Sequence, residues 1–528
     1  ETSHGRALAG AGVTACSETV EHWFQRIDWR LVLAAVLSVL LLAAFLAVPY
    51  LPMVDLPQHA AQVSIWQRLD SPAGAPLFEL NLRTPYLGAY VVARVLAGFI
   101  GAVPALKLVV WAAVVGHFAA FDYLVRTLGY PRWLSLLGLP LGLGYAFYYG
   151  FISFIAAVPF GLLSISLGLR HRERATAQSG LLLATALCAT LANHGFAFGM
   201  TLAMVAPLLL RGSGSFVRRV WPLLAPALLT AVWLAPGSSA RSIGLTIWEP
   251  RFLELSQIPA LLLAASGADQ LASAFGVLLL LLVALSLGRP SRAPERFLPL
   301  TFVVLGYCLF PLMLGGFGPL HPRFVAFLVP ALLLAFEPRA EAEHSLLPGL
   351  VAATSCAWLG LLVHRLIEFE QETRPVADFI ARMPAGLSIR PLVFERMSRA
   401  FPAVPAFLHV SAYYVPEKAG RQGYSFAMYP TSVIRYAPGV TPTMDGGAEW
   451  HPEGFSAESE LDQYDCFLVR STSDRSLELF GQRAPELTLA FHEAGFWAYL
   501  SRSALAAWRA RDSQGTQHAE PLVFSRTK

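Results

Sequence analysis

The sequence predicts a mainly α fold: a polytopic membrane helix bundle of about eleven to thirteen spans, followed by a small C-terminal α/β domain. Composition and order carry that prediction. Of 528 residues, 55% are apolar and only 14% are charged, which is outside soluble-domain usage. The apolar residues come in long uncharged runs that cease near position 368, after which charge, Pro and Gly return. The net charge of +4 is too small to argue for nucleic acid or an acidic partner, so the Lys and Arg residues are read as topology signals.

Taken in order, residues 1–30 read as a cytoplasmic tail. The first apolar run begins at Leu31. It is too long for a signal-peptide core and is followed by Pro52-Met-Val-Asp55 rather than a small-residue cleavage site, so it reads as a retained anchor. With about 20 residues per crossing, further windows fall at 86–103, 106–125, 133–149, 151–169, 180–210, 220–236, 271–287, 297–314, 324–336 and 346–367. The window 180–210 is long enough for two short helices broken at Asn193-His194-Gly195.

Arg-rich loops at 170–174, 211–219, 289–296 and around Arg339 mark the cytoplasmic side. The Asp55 loop, Asn193-His194, the loop 315–323 and the chain after 367 then share the outer face. Four windows between 86 and 169 conflict with the parity that the Arg170 loop requires, so one must be re-entrant or split. The stretch Gly144-Tyr-Ala-Phe-Tyr-Tyr-Gly150 suits an interface turn better than a mid-bilayer helix. The transmembrane bundle is thus assigned to 31–367, with a long first outer loop at 50–85. The extracytoplasmic domain is assigned to 368–528, with an amphipathic segment at 376–383 and short strands at 387–394, 407–414, 466–469 and 496–500.

Asp55 stands where the first span should end, in Tyr50-Leu-Pro-Met-Val-Asp55-Leu-Pro-Gln-His59. A carboxylate at a membrane boundary loses hydration unless it is paired or faces a polar cavity, which makes it a candidate functional group. The bland alternative is a cap on the helix that follows, whose apolar positions Ala61, Ile65, Trp66 and Leu69 suggest a segment lying along the membrane surface. Asn193, His194, His321, Arg323 and Tyr149 are expected on the same face. Each alone is weak, since a lone His at a helix end is more often a satisfied structural residue than a catalyst and an Arg at a span end is often a headgroup contact; their convergence is the argument. Such a set suits deprotonation of a hydroxyl or amine by Asp55 while Arg323 holds a phosphate leaving group.

Asp55 and His59 at i, i+4 would supply two ligands to a divalent cation, with no third in view, so no metal ligand is assigned and a divalent metal stands only as a weakly supported cofactor. Asp122 reads as an interfacial partner of Arg126. The five cysteines are scattered singly without metal-ligand or disulfide spacing. No P-loop, dinucleotide fingerprint, nucleophile elbow or HExxH occurs. Tyr413, Tyr414, Tyr424, Tyr429 and Trp450 could stack on sugar rings or simply fill a core.

Around Val54-Asp-Leu-Pro-Gln-His59 the layout resembles the GT-C superfamily of membrane glycosyltransferases, which use polyprenyl-phosphate-linked sugars. The resemblance implies Asp55 as general base, and Arg323 with His321 on the donor phosphate. His59, His194, Asn193 and Tyr149 would line the cavity. Many members carry a second acidic residue beside or two places from the first; here the neighbours are Val54, Leu56 and Pro57. The implied activity is inverting sugar transfer from a polyprenyl-phosphate donor to a glycan, lipid or protein acceptor at the outer face of a bacterial inner membrane. A transporter or flippase would require midplane charges and two related halves, and a polymerase or ligase of lipid-linked glycans an outer loop rich in Arg and His. His321-Pro-Arg323 alone hints at the latter.

Overall fold

The computed structural model describes residues 28–69, 77–234, 246–248, 252–263, 276, 288–314, 318–339, 346–444 and 447–515. Residues 1–27 of the expected tail, and all but one residue of the window 271–287, lie outside them. Among the described residues, four helices are long and apolar enough to cross a membrane: Trp29–Ala47 (α1), Ala102–Leu128 (α4), Ile152–Glu173 (α6) and Leu347–Arg382 (α12). Shorter apolar helices accompany them at Leu87–Ile100 (α3), Ala177–Asn193 (α7), Gly195–Leu210 (α8) and His321–Ala335.

The expectation of eleven to thirteen crossings is therefore corrected for the described chain. Window 133–149 breaks into a 3-10 turn, a four-residue helix and Tyr145–Tyr149 (α5), closed by Gly150 at φ +80°. Gly residues and Pro140 punctuate it too often for one long helix. This window is the one whose parity conflicted with the basic loops. The break at His194 is as expected: α7 ends at Asn193, α8 begins at Gly195, and His194 between them has extended backbone angles.

α6 is the hub of the bundle, packed against α4, α7 and α8. Small residues permit the close approach. A Cβ at Gly161 would meet Thr201 and Phe327, and one at Gly168 would meet Val205. On α4, Asp122 pairs with Arg126 at 2.9 Å, as expected.

The C-terminal region carries a five-stranded mixed sheet. Its order is Arg421–Gln422 (β5), Ser388–Val393 (β4), Cys466–Arg470 (β7), Phe496–Ser501 (β9) and Leu487–Glu493 (β8). β4 runs parallel to β5 and β7, while β9 is antiparallel to β7 and β8. Two expectations fail here. α12 runs on through the composition change near 368 to Arg382, because its amphipathic last third still buries Val376, Phe379 and Ile380. Segment 407–414 is not a strand: it turns into a 3-10 helix, Val410–Tyr413, and buries side chains on every side, so no pleated face forms.

The helix Leu56–Gln67 (α2) forms, but it does not lie on a membrane surface. Residues Ala60 to Ile65 are buried, in contact with α3 and α4 on one side and with the C-terminal region on the other. Its glutamines are the reason. Gln62 donates to the Ile434 carbonyl and accepts from the Ile434 amide, both at 2.9 Å. Gln58 likewise accepts from the Phe426 amide at 3.3 Å and donates to the Tyr424 carbonyl at 3.4 Å. Downstream in the same loop, Phe78–Leu80 (β1) pairs antiparallel with Ile434–Tyr436 (β6). The first loop and the C-terminal region are thus one docked unit, with Tyr50 stacked on Tyr413 at 3.7 Å.

Candidate functional site

Asp55 occupies the N-cap position of α2 but makes no capping bond, because its backbone is already helical (φ −91°, ψ −9°). The capping alternative is thereby set aside. The loop is held from behind: the Val54 and Asp55 amides donate to the Tyr148 and Tyr149 carbonyls at 3.0 and 3.1 Å. A Cβ at Gly150 would lie 2.8 Å from the Asp55 nitrogen, so only glycine fits that approach.

The carboxylate side chain, 17% exposed, faces His409 of the C-terminal region, whose Nε2 is 3.7 Å from Oδ1. Burial raises the Asp55 pKa to about 7; nearby Arg323 pulls it down and Glu449 pushes it further up. His409 is lowered to about 3 by burial, assisted by His59, so it is a neutral ring at physiological pH and the pair is not a salt bridge. It stacks on Tyr424 at 5.2 Å between ring centres. His59 is also held neutral by burial, near 4. Its Nδ1 is engaged by the Tyr90 hydroxyl, and its ring meets the edge of Phe426.

Arg323 lies inside the bundle. Its Nε donates to the Pro319 carbonyl at 2.9 Å, Nη1 approaches His194 Nε2 at 3.0 Å, and the guanidinium lies 4.0 Å from the Phe151 ring centre. His194 caps α8 by accepting the Ala197 amide at Nδ1. Both of its nitrogens therefore face N–H groups. A neutral imidazole can accept at only one of them, so the cap and the Arg323 contact are not both full hydrogen bonds. Among the described residues no carboxylate forms an ion pair with Arg323.

Beside Arg323 lies a cavity lined mainly by apolar groups that include Leu141, Phe154, Ile155, Val158, Leu262 and Val329.

Of the residues singled out from sequence, Asp55, His59, His194, Arg323 and Tyr149 come into this neighbourhood. Tyr149 does so through its carbonyl and a ring tilted against that of Tyr145. Asn193 is engaged elsewhere: its amide donates back to Ala189, and its side chain fills the space over Gly88. His321 packs edge-on against Tyr307. Sequence reading missed His409 and Glu449, which lie in an apolar run and a Gly-rich turn that carry no chemical signature. Tyr86 and Tyr90, also missed, follow the first loop and contact His194 and His59. Among the described residues no group of three His, Cys, Asp or Glu side chains is placed to hold a metal. The Asp55–His59 pair does not become one, since His59 is turned to Tyr90.

No protein-family model matches the sequence, nor does any curated protein. Two cryo-EM structures of the arabinofuranosyltransferase AftD from mycobacteria are similar in structure. One has 13% identity and a TM-score of 0.50, covering 90% of this chain and 40% of that one. The other, of a mutant, has 14% identity and a TM-score of 0.48, covering 89% and 41%. The chain thus spans well under half the length of those proteins. The first likeness shows the fold alone: the chain shares the architecture of that arabinofuranosyltransferase structure.

Proposed function

We propose, with that shared fold as premise, that the protein is a membrane glycosyltransferase. It moves a sugar from a polyprenyl-phosphate donor to an acceptor hydroxyl at the extracytoplasmic face of a bacterial inner membrane. The observation that carries this reading is Arg323: a buried guanidinium bonded to carbonyls and an imidazole but to no carboxylate, opening on an apolar cavity. A cation held out of water calls for an anion. A lipid phosphate supplies one, with its isoprenoid chain in the apolar space and its phosphate on the guanidinium fork.

Asp55, on the opposite side, takes the proton of the acceptor hydroxyl as its oxygen bonds to the anomeric carbon. The sugar–phosphate C–O bond breaks, and the electron pair leaves with the polyprenyl phosphate against Arg323. Attack from the face opposite the phosphate inverts the configuration. A carboxyl near 7 is matched to base work at neutral pH. No second carboxylate lies beside Asp55 or two places from it, and no step is assigned to a metal.

The test uses purified protein in nanodiscs with radiolabelled polyprenyl-phosphate sugars, arabinofuranose first, and octyl glycosides as acceptors. Release of polyprenyl phosphate with labelled glycoside is expected, and Asp55→Asn should abolish it while the protein still inserts normally. Full transfer by that variant would refute the assignment of the base.

A further inference from the structure

Glu449 belongs to the C-terminal region, in a 3-10 turn just after Gly447, yet it is 6% exposed and its Oε2 finds no hydrogen-bond donor among the described residues. A buried acceptor left open in this way needs an explanation. It is not remote from Asp55. The Tyr424 and Tyr429 hydroxyls lie within reach of the Glu449 charge and are 2.8 Å apart, and Tyr424 stacks on His409, which faces Asp55. Phe426 closes the group, edge-on to both His409 and Tyr424.

Counting hydrogens shows what this group lacks. The Tyr424 and Tyr429 hydroxyls share one hydrogen bond, in which either oxygen can be the donor, while Glu449 Oε2 has no donor among the described residues. What the ionised carboxylate leaves unused is accepting capacity, with further lone pairs on the phenolic oxygens. The matching ligand is rich in donors and presents a C–H face to aromatic rings. A sugar has both.

We propose that this face of the C-terminal region is an acceptor subsite for a saccharide, in which the Glu449 carboxylate accepts a hydrogen bond from one sugar hydroxyl and Tyr429 from another, turning the reacting hydroxyl toward Asp55. The inference rests on the glycosyltransferase reading. It assigns Glu449 a positioning role and leaves proton transfer to Asp55. It also supplies, from a distant part of the chain, a second carboxylate where Asp55 has none beside it in sequence.

The experiment compares two outputs of the same protein in nanodiscs, using the polyprenyl-phosphate sugar that the unmodified chain turns over. One is transfer to an octyl glycoside. The other is slow transfer to water, in which water replaces the acceptor hydroxyl and Asp55 again takes the proton. In Glu449→Gln the KM for the octyl glycoside should rise about tenfold, the loss expected for a hydrogen bond to a charged group, with a smaller rise in Tyr429→Phe. Assayed well above pH 7, where Asp55 is ionised in wild type and variants alike, the KM for the donor and the rate of transfer to water should stay at wild-type values, which also shows that the variants are folded.

An unchanged glycoside KM in Glu449→Gln would overturn the proposal, as would a parallel fall of both outputs in the two variants. If the unmodified chain turned over no donor, the glycosyltransferase reading itself would fall, a result distinct from either. An alkylamine outcompeting the glycoside at wild-type KM would overturn the saccharide assignment.

Discussion

The cavity beside Arg323 is walled mainly by apolar groups and, among the described residues, by that one guanidinium; the C-terminal side of Asp55 is aromatic and carries a carboxylate. The two sides are also secured differently. Arg323 is fixed by carbonyls of its own segment and by one histidine at a helix break. His409 and Tyr424 reach the site only because Gln58, Gln62 and β1 bind the C-terminal region to the first loop. A site with an anion-seeking wall and a donor-seeking wall can hold two chemically unlike substrates with little cross-competition, which is what a transfer between a lipid phosphate and a polyol demands.

The largest expected effect falls where the two sides meet. Asp55→Asn removes the base at nearly constant shape and should lower kcat by about 10³-fold, within the range for general-base catalysis, with donor KM unchanged. Equal losses in kcat and donor affinity would mean that Asp55 belongs to the donor wall and would break the comparison. Next is Arg323→Met, which should weaken donor binding by roughly 10- to 100-fold, as for a charged hydrogen bond, while sparing glycoside KM. Arg323→Lys should restore only part, since it lacks the fork.

The pH profile sharpens the comparison further. Asp55 must be ionised to act, and burial raises its pKa to about 7. Activity should therefore rise with pH through about 7. Because the Glu449 charge pushes Asp55 up, Glu449→Gln should move that midpoint to lower pH, a shift measured in kcat/KM for transfer to water. The smallest effect is on stability. Gln62→Ala leaves the buried Ile434 amide and carbonyl unpaired and should cost about 1–3 kcal/mol, read as a lower midpoint of thermal unfolding. It should affect glycoside KM more than donor KM if only the C-terminal wall loosens.

What the sequence made legible follows the same division. A charge or a polar hinge inside an apolar run is conspicuous, so Asp55, the break at His194 and Arg323 could be picked out before any coordinates. Strands β4, β7 and β9 were visible as short apolar runs between turn residues. His409 was not, because it sits in an apolar run that looked like a strand and folds into turns instead. Glu449 had no neighbour of like chemistry to mark it. The helix α2 was misplaced for a related reason: Gln58 and Gln62 made one side of it look wet, when their amides are spent on backbone more than 360 positions away. Such pairings leave no local pattern.

The antiparallel match of β1 with β6 sets an order of events during biosynthesis. Phe78 cannot meet Tyr436 until the ribosome has added roughly 350 further residues, some 20–70 s at ordinary elongation rates. Through that interval the helices enter the membrane with the Asp55 loop unroofed. Until His409 and Glu449 arrive, the nascent bundle would have only its lipid-facing wall and should not yet discriminate among acceptors.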